Sequence, residues 1–203
     1  ASAQLASDRL ASSNDPTVKV LAPRLVQSID RAIALATNTL KYGRAEEAAP
    51  RRSRQPLLAI ADEAMHAALA AGDGRTGWNN AFDPNLLIDA DGEQLLRIIL
   101  NIGRNAVQAL EGREGAAITL SAERRNGAVT IDLGDNGGGI PEEGLKHLFE
   151  PFARKGRTGG TGLGLAIARE LARGHGGDVV LLRTGPEGTT FRITIPDTVP
   201  SPT

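Results

Sequence analysis

The sequence GTGLGLAI, at residues 160–167, is the stretch that decides the fold. Three of its residues are glycines, and it leads directly into a helix that we predict over residues 163–174. A glycine-rich run at the start of a helix presents free backbone N–H groups and the positive end of the helix dipole, which together favour phosphate. The pattern G-x-x-x-x-G-K-[ST] is absent, and no strand is predicted before these glycines. Neither a P-loop nor a dinucleotide-binding fingerprint is therefore expected.

A polar face on an upstream helix is the second feature. We predict this helix over residues 92–111, with Asp91 as its N-cap residue. Asn101, Asn105 and Gln108 are four and three residues apart, so they share one face. The carbonyl oxygen of an Asn side chain is a ligand that suits Mg²⁺. On this helix alone, amides that cap loops or face solvent are the simpler interpretation.

A third segment, Asp135-Asn136-Gly137-Gly138-Gly139, follows a strand predicted over residues 127–134. Its glycines let the backbone adopt positive φ and approach a ligand closely. A carboxylate only accepts hydrogen bonds, so Asp135 can bind an exocyclic amine such as the 6-amino group of adenine. A flexible loop after a strand is the competing interpretation.

The fourth segment, HLFEPF at residues 147–152, contains two of the four phenylalanines in the chain. We expect Phe149 and Phe152 to anchor a mobile segment on the domain. Arg154 and Lys155 follow directly and could reach triphosphate oxygens. Solvated charges on a loop are an equally good interpretation of these two residues.

In this order and spacing, the four segments resemble the nucleotide-binding domain of sensor histidine kinases. The same larger group includes type II topoisomerases, mismatch-repair ATPases and heat-shock chaperone ATPases. The resemblance implies ATP and Mg²⁺ as cofactors, Asn105 as the magnesium ligand, Asp135 as the residue that binds adenine, and residues 152–162 as a nucleotide-sensitive lid. The catalytic residues implied are Asn101 and Asn105. The nucleotide-binding residues implied are Asn101, Asn105, Asp135, Gly137, Gly139, Ile140, Arg154, Lys155, Gly160, Thr161, Gly162, Leu163, Gly164 and Leu165.

The residue at position 101 distinguishes between phosphoryl transfer and hydrolysis. Relatives that hydrolyse ATP resemble one another in placing a glutamate four residues before the asparagine that corresponds to Asn105. Here that position is Asn101, whose amide has no useful basicity, so the site is expected to hold ATP without activating water. This favours a protein-histidine kinase. An ATP-binding regulator or phosphotransfer scaffold that lacks autophosphorylation is the alternative.

Residues 1–48 are predicted to be two helices joined by a short turn, with one apolar stripe. The resemblance implies part of a dimerisation and histidine-phosphotransfer hairpin, and hence a homodimer and the receiver domain of a response regulator as partners. A hairpin that packs on its own globular domain is the competing interpretation of the apolar stripe. The chain contains only His66, His147 and His175, and none has the context of a phosphoacceptor. We expect them to be surface or capping residues. Since the sequence begins at Ala1 without methionine, we expect a fragment that starts after the phosphoacceptor.

The predicted fold class is α/β (α+β): a two-layer sandwich with a mixed sheet and three main helices over residues 54–197, preceded by the helical hairpin. Residues 49–55 include three arginines and are predicted to be a solvated linker, and residues 198–203 a polar tail. Strands are also predicted over residues 77–82, 86–89, 116–124, 178–184 and 189–195, with a further helix over residues 59–71. Arg125-Asn126-Gly127 is predicted to be the turn of a hairpin formed by strands 116–124 and 127–134.

Composition narrows the functional classes. The net charge of −1 gives no field that would attract nucleic acid. The chain has no cysteine, which excludes disulfides and thiolate metal sites. No apolar run approaches the roughly 18 residues that span a bilayer, and no signal peptide is visible. The resemblance implies a cytoplasmic location, which is compatible with a parent sensor that is itself bound to a membrane. Because aromatic residues are only 3% of the chain, the core is expected to be aliphatic.

Overall fold

The computed structural model describes residues 49–152 and 162–197, all of which lie in one of the two compact units into which the chain divides. The helices of this part are α1 (Leu57–Leu69), α2 (Gly92–Ala109), α3 (Glu142–Leu145) and α4 (Gly164–Gly174). Its strands are β1 (Ser53–Pro56), β2 (Gly77–Asn80), β3 (Leu87–Ala90), β4 (Ala117–Arg125), β5 (Ala128–Asp135), β6 (Asp178–Gly185) and β7 (Gly188–Pro196). The predicted hairpin, residues 1–48, and the predicted tail, residues 198–203, lie outside the described residues.

Five strands form one sheet in the order β2-β4-β5-β7-β6. β2 runs parallel to β4, and every other neighbouring pair is antiparallel. The buried side chains of α1, α2 and α4 form one hydrophobic core with the inward-facing side chains of this sheet. The predicted α/β sandwich with a mixed sheet and three main helices is confirmed.

The turn between β4 and β5 has the chemistry that the sequence predicted. Asn126 and Gly127 both adopt positive φ, at 52° and 72°. These values are typical of the two-residue turns whose twist matches that of a β-hairpin. Register then follows from the turn, with Arg125 opposite Ala128 and each later pair one step further along.

The core between sheet and helices is aliphatic, as predicted. Strand residues alternate between a buried face and an outer face, so one set of β4, β5 and β7 side chains meets the apolar stripe of α2. Phe191 is the one buried phenylalanine among the described residues. The largest fully buried side chains include Leu95, Ile98, Ile99, Ile102, Ile118, Leu120, Ile131 and Leu133. None of the described helices is both long and apolar enough to cross a membrane.

The prediction of a solvated linker over residues 49–55 is wrong at its C-terminal end. Ser53–Pro56 is strand β1, which pairs antiparallel with β3 in a separate two-stranded sheet. The strand is only four residues long and its partner follows about thirty residues later along the chain, so no local pattern revealed it.

Arg52, in the same segment, is half-buried rather than solvated. Its guanidinium donates to the carbonyl oxygens of His175 at 3.2 Å, of Asp89 at 2.9 Å and of Pro196, and it forms an ion pair with the Asp89 carboxylate at 3.3 Å. A guanidinium carries five donors in a fixed plane, which suits several carbonyls that converge from different elements. These contacts of Arg52 hold the segment before β1 against the domain.

Asp91 begins helix α2, as predicted. One carboxylate oxygen accepts the N–H of Gln94 at 3.1 Å and the other accepts the N–H of Arg51 at 2.9 Å. Burial alone would raise the pKa of Asp91, but hydrogen bonds from the backbone N–H groups of Gln94, Arg51 and Glu93 outweigh it, so the pKa is lowered.

The buried ring of His175 joins the start of α2 to the end of α4. The N–H of Asp91 donates to Nε2 of His175 at 3.0 Å, and Nδ1 of the same ring lies 2.8 Å from the carbonyl oxygen of Leu171. His175 is thus a capping residue, one of its two predicted roles.

Replacing Asp91 with Ala is expected to lower the free energy of unfolding by about 1 kcal/mol, the usual cost of losing an N-cap acceptor. Asp91→Asn keeps an acceptor and is expected to cost less. Because the folded-state pKa is lowered, the carboxylate's contribution is complete above the unfolded pKa of about 3.9 and is lost as the pH falls through the folded value. Urea unfolding at neutral and acidic pH measures both effects. Equal stability of Asp91→Ala and the wild type at neutral pH would contradict this assignment.

Candidate functional site

The candidate site lies where β5 ends and β7 begins. The β5–β7 register places Asp135, the last residue of β5, directly opposite Thr189. The loop after Asp135 packs against the last turn of α2, because a Cβ added at Gly137 would lie 3.5 Å from the carbonyl oxygen of Ala109. Two of the four segments singled out in the sequence therefore meet here.

The carboxylate of Asp135 is buried, with 9% of the residue exposed. Its Oδ1 accepts the N–H of Gly137 at 2.8 Å and the N–H of Thr189 at 3.3 Å. In the part of the chain that the structure describes, its Oδ2 accepts no hydrogen bond. One oxygen thus fixes the orientation of the carboxylate, and the other is left as an acceptor for a ligand.

Burial raises the pKa of Asp135. The hydrogen bonds from Gly137 and Thr189 and the positive charge of Arg113 act in the opposite direction, but they do not outweigh the loss of hydration. A carboxylate that has lost part of its hydration gains more from a matched donor than one in water does. This environment suits recognition of a neutral amine.

Glycines allow a close approach between the Asp135 loop and the β6–β7 hairpin. Gly139 has φ of +79°, and a Cβ there would clash with the backbone of Gly185. Gly188 has φ of +121°, and a Cβ there would clash with the carbonyl group of Asp135. Ile140, which follows Gly139, donates its N–H to the hydroxyl of Thr184 at 2.8 Å. The two backbone segments are thus in direct contact.

The polar face of α2 meets the start of α4. Asn101 is half-buried beside Gly164, where an added Cβ would lie 3.6 Å from Asn101 Oδ1. The amide nitrogen of Asn105 is buried, and within residues 49–152 and 162–197 it has no hydrogen-bond partner. An unpaired buried amide is costly, which is typical of a site that a ligand completes.

Helix α4 begins without a side-chain cap. Its N-cap residue is Leu163, whose buried aliphatic side chain cannot accept a hydrogen bond from the first turn. Gly162 precedes it with φ of +70°, and Leu165 packs in the core. The first N–H groups of α4 are therefore left for another acceptor, and the helix dipole favours an anionic one.

The chain on either side of residues 153–161 is held together, because the N–H of Phe152 donates to the carbonyl oxygen of Gly162 at 3.1 Å. Four predicted site residues, Arg154, Lys155, Gly160 and Thr161, lie outside the described residues, and their roles stay predictions.

The prediction that both phenylalanines of HLFEPF are anchors is half right. Phe149 packs edge-on against Phe191, with ring centroids 6.3 Å apart, and the guanidinium of Arg169 lies 4.6 Å from the Phe149 ring centroid. Phe152, by contrast, is 42% exposed. Periodicity cannot separate two aromatic residues three positions apart when the segment between them is a turn rather than a helix.

Sequence reasoning missed Thr189 and Thr184. Both lie near the turn of the β6–β7 hairpin, and their hydroxyl oxygens are 3.1 Å apart. Thr184 at the end of one predicted strand and Thr189 at the start of the next are weak signals. Their proximity to Asp135 depends on pairing across more than fifty residues.

The chain is similar in sequence to a family of ATPases and to individual histidine kinases. The family model described as "Histidine kinase-, DNA gyrase B-, and HSP90-like ATPase" matches residues 90–199. The chain is 43% identical over 126 residues to the sensory histidine kinase/phosphatase NtrB of Salmonella typhimurium, covering 57% of this chain and 35% of that protein. It is 30% identical over 210 residues to the sensor-like histidine kinase SenX3 of Mycolicibacterium smegmatis, covering 95% of this chain and 52% of that protein. The chain thus spans between a third and about half of the length of these relatives.

Solved structures show the same fold. Full-length ShkA in complex with AMPPNP superposes with a TM-score of 0.73 at 23% identity, covering 97% of this chain and 42% of that one. Histidine kinase ThkA in complex with the response regulator protein TrrA superposes with a TM-score of 0.72 at 21% identity, covering 97% of this chain and 57% of that one.

Asp135→Asn is expected to change how stability depends on pH. The amide keeps an oxygen for the two N–H groups but cannot ionise. Since burial raises the folded-state pKa above the unfolded value of about 3.9, the native carboxyl holds a proton that the unfolded chain has released between those two values. The wild type should therefore gain stability relative to Asp135→Asn as the pH falls from neutral through the raised pKa. Urea unfolding of both proteins across this range measures the difference, and parallel pH profiles would argue against a raised pKa.

Proposed function

The chain belongs to the family of histidine kinase-, DNA gyrase B- and HSP90-like ATPases, and from that membership we propose that it is the ATP-binding catalytic part of a sensor histidine kinase. The parent protein would transfer the γ-phosphoryl group of ATP to a histidine and then to an aspartate of a response regulator. The relatives NtrB and SenX3, both named as histidine kinases, support this choice within the family.

The observation that carries the proposal is the state of Asp135. A carboxylate that is buried, oriented through one oxygen and left with the other as an acceptor matches the exocyclic amine of adenine. The neighbouring glycines let a flat base approach the backbone. We therefore assign adenine to the end of β5, with Gly137, Gly139 and Ile140 forming the adjoining loop.

The triphosphate is assigned to the start of α4 and the facing side of α2. The N–H groups after Gly162 and Leu163 suit phosphate oxygens, with Gly164 and Leu165 in the first turn. Mg²⁺ would be held by the carbonyl oxygen of Asn105, which accepts no hydrogen bond within the described residues. When bound, the ion would neutralise charge on the phosphate oxygens.

Phosphoryl transfer rather than hydrolysis follows from Asn101. An amide beside the start of α4 can donate to an oxygen and orient it, but it cannot remove a proton from water. The chain's residues would therefore position ATP and leave its γ-phosphoryl group for a stronger nucleophile.

The remaining assignments extend from the same resemblance. We assign residues 1–48 to a partial dimerisation and phosphotransfer hairpin, which would form a homodimer and present the response regulator's docking surface in the cytoplasm. Residues 54–197, with Ser53 added by its pairing with Ala90, are assigned to the catalytic domain. Because His66, His147 and His175 do not suit phosphoacceptance, an ATP-binding regulator that lacks autophosphorylation is the second candidate.

Two measurements test the proposal. Calorimetric titration with a non-hydrolysable ATP analogue, with and without Mg²⁺, is expected to give saturable binding that Mg²⁺ strengthens. Mixing the protein with ATP and a separate hairpin that carries a phosphoacceptor histidine is expected to label that hairpin. Binding without labelling would favour the regulator, and no binding up to millimolar nucleotide would reject both candidates.

Asp135→Asn is expected to weaken binding of the ATP analogue at least a hundredfold, because an acceptor for the adenine amine is lost from a buried site while the fold is kept. Asp132→Asn is the matched control. Asp132 lies on the same strand but on the outer face, where it pairs with Arg192 at 2.7 Å. Titration of both variants compares them. If the Asp135 variant keeps the wild-type affinity, the adenine assignment fails.

Asn105→Ala is expected to remove the effect of Mg²⁺ on affinity, so that titrations with and without the ion coincide. Arg104→Ala is the matched control, because it removes an exposed side chain from the preceding position of the same helix. In that variant Mg²⁺ is expected to strengthen binding as it does in the wild type. A persistent magnesium effect in Asn105→Ala would move the ion to other ligands.

A further inference from the structure

Thr184 stands between the two backbone segments that surround Asp135. Its hydroxyl accepts the N–H of Ile140 at 2.8 Å and lies 3.1 Å from the hydroxyl of Thr189. Thr189 in turn donates its N–H to Asp135 Oδ1. One hydroxyl group thus joins the loop after Asp135 to the strand opposite it.

A β-bulge sets the direction of this side chain. Leu181 pairs with Phe191 and Arg183 pairs with Thr190, so Leu182 is the extra residue and is 45% exposed. An extra residue shifts the alternation of all that follows. After the bulge, Thr184 meets Thr189 on the face that holds Asp135, whereas Arg183 donates to the Thr190 hydroxyl at 2.9 Å on the opposite face.

We propose that Thr184 is a positioning residue for recognition of the nucleobase. The inference rests on the proposed function, because it concerns the orientation of the group assigned to adenine. Thr184 fixes Ile140, and through Ile140 the glycine loop, while it also fixes Thr189 and through it Asp135 Oδ1. Loss of the hydroxyl would leave the Ile140 N–H unpaired and free the loop from the hairpin.

The nearly isosteric change Thr184→Val tests this. We expect the affinity for a non-hydrolysable ATP analogue to fall about tenfold, the scale of one to two ordinary hydrogen bonds. The affinity for the guanine counterpart, which lacks the 6-amino group, is expected to change little. The preference for adenine over guanine therefore narrows, and Thr184→Ser, which keeps the hydroxyl, restores it.

Thr190→Val is the matched control, since it removes the neighbouring hydroxyl from the outer side of the same hairpin. The Thr190→Val variant is expected to prefer the adenine nucleotide over the guanine nucleotide as strongly as the wild type does. Urea unfolding of all variants reports any loss of stability. An unchanged preference in Thr184→Val, or an equal loss of affinity for both nucleotides, would reduce Thr184 to a structural residue. If the wild type binds neither nucleotide, the proposed function itself fails, and this inference fails with it.

Discussion

The antiparallel pairing of β5 with β7 is the constraint on which the candidate site depends. Its register puts the last residue of β5, Asp135, opposite Thr189, so that the end of one strand and the start of the other share hydrogen bonds. A slip of one residue would turn Asp135 to the outer face and its neighbour Gly134 inward. The same register aligns the aliphatic residues of both strands with the helices, so the core and the site are specified together.

Two helices bring a second group of polar residues together. Helix α2 is fixed by its apolar stripe and by Asp91 at its start, and α4 packs so close to it that a Cβ added at Gly164 would touch Asn101. The two half-buried amides of α2 are therefore placed by burial of the apolar stripe beside them. Binding groups on a rigid helix lose little entropy when a ligand arrives.

Local patterns predicted those parts of the fold whose cause is local. Helix α2 has a long stripe and a capping residue, and the β4–β5 turn has Asn126-Gly127 at the two positions that need positive φ. Asp135 and the glycines before α4 were found because their chemistry lies within a few residues. The Thr184–Thr189 contact was not, because it depends on a bulge and on a register set far along the chain. Strand β1 was missed for a similar reason, and Arg52 looked solvated because its carbonyl partners belong to three distant segments.

The docking of Arg51 and Arg52 bears on where this domain can be cut. A shortened protein that started at residue 54 would lack the guanidinium that binds the carbonyl oxygens of Asp89, His175 and Pro196, and the N–H that binds Asp91. Those acceptors belong to the ends of β3, α4 and β7 and to the first turn of α2. A truncation that appears to remove only a tether would thus loosen four elements at once, and residue 49 or earlier is the sounder place to begin.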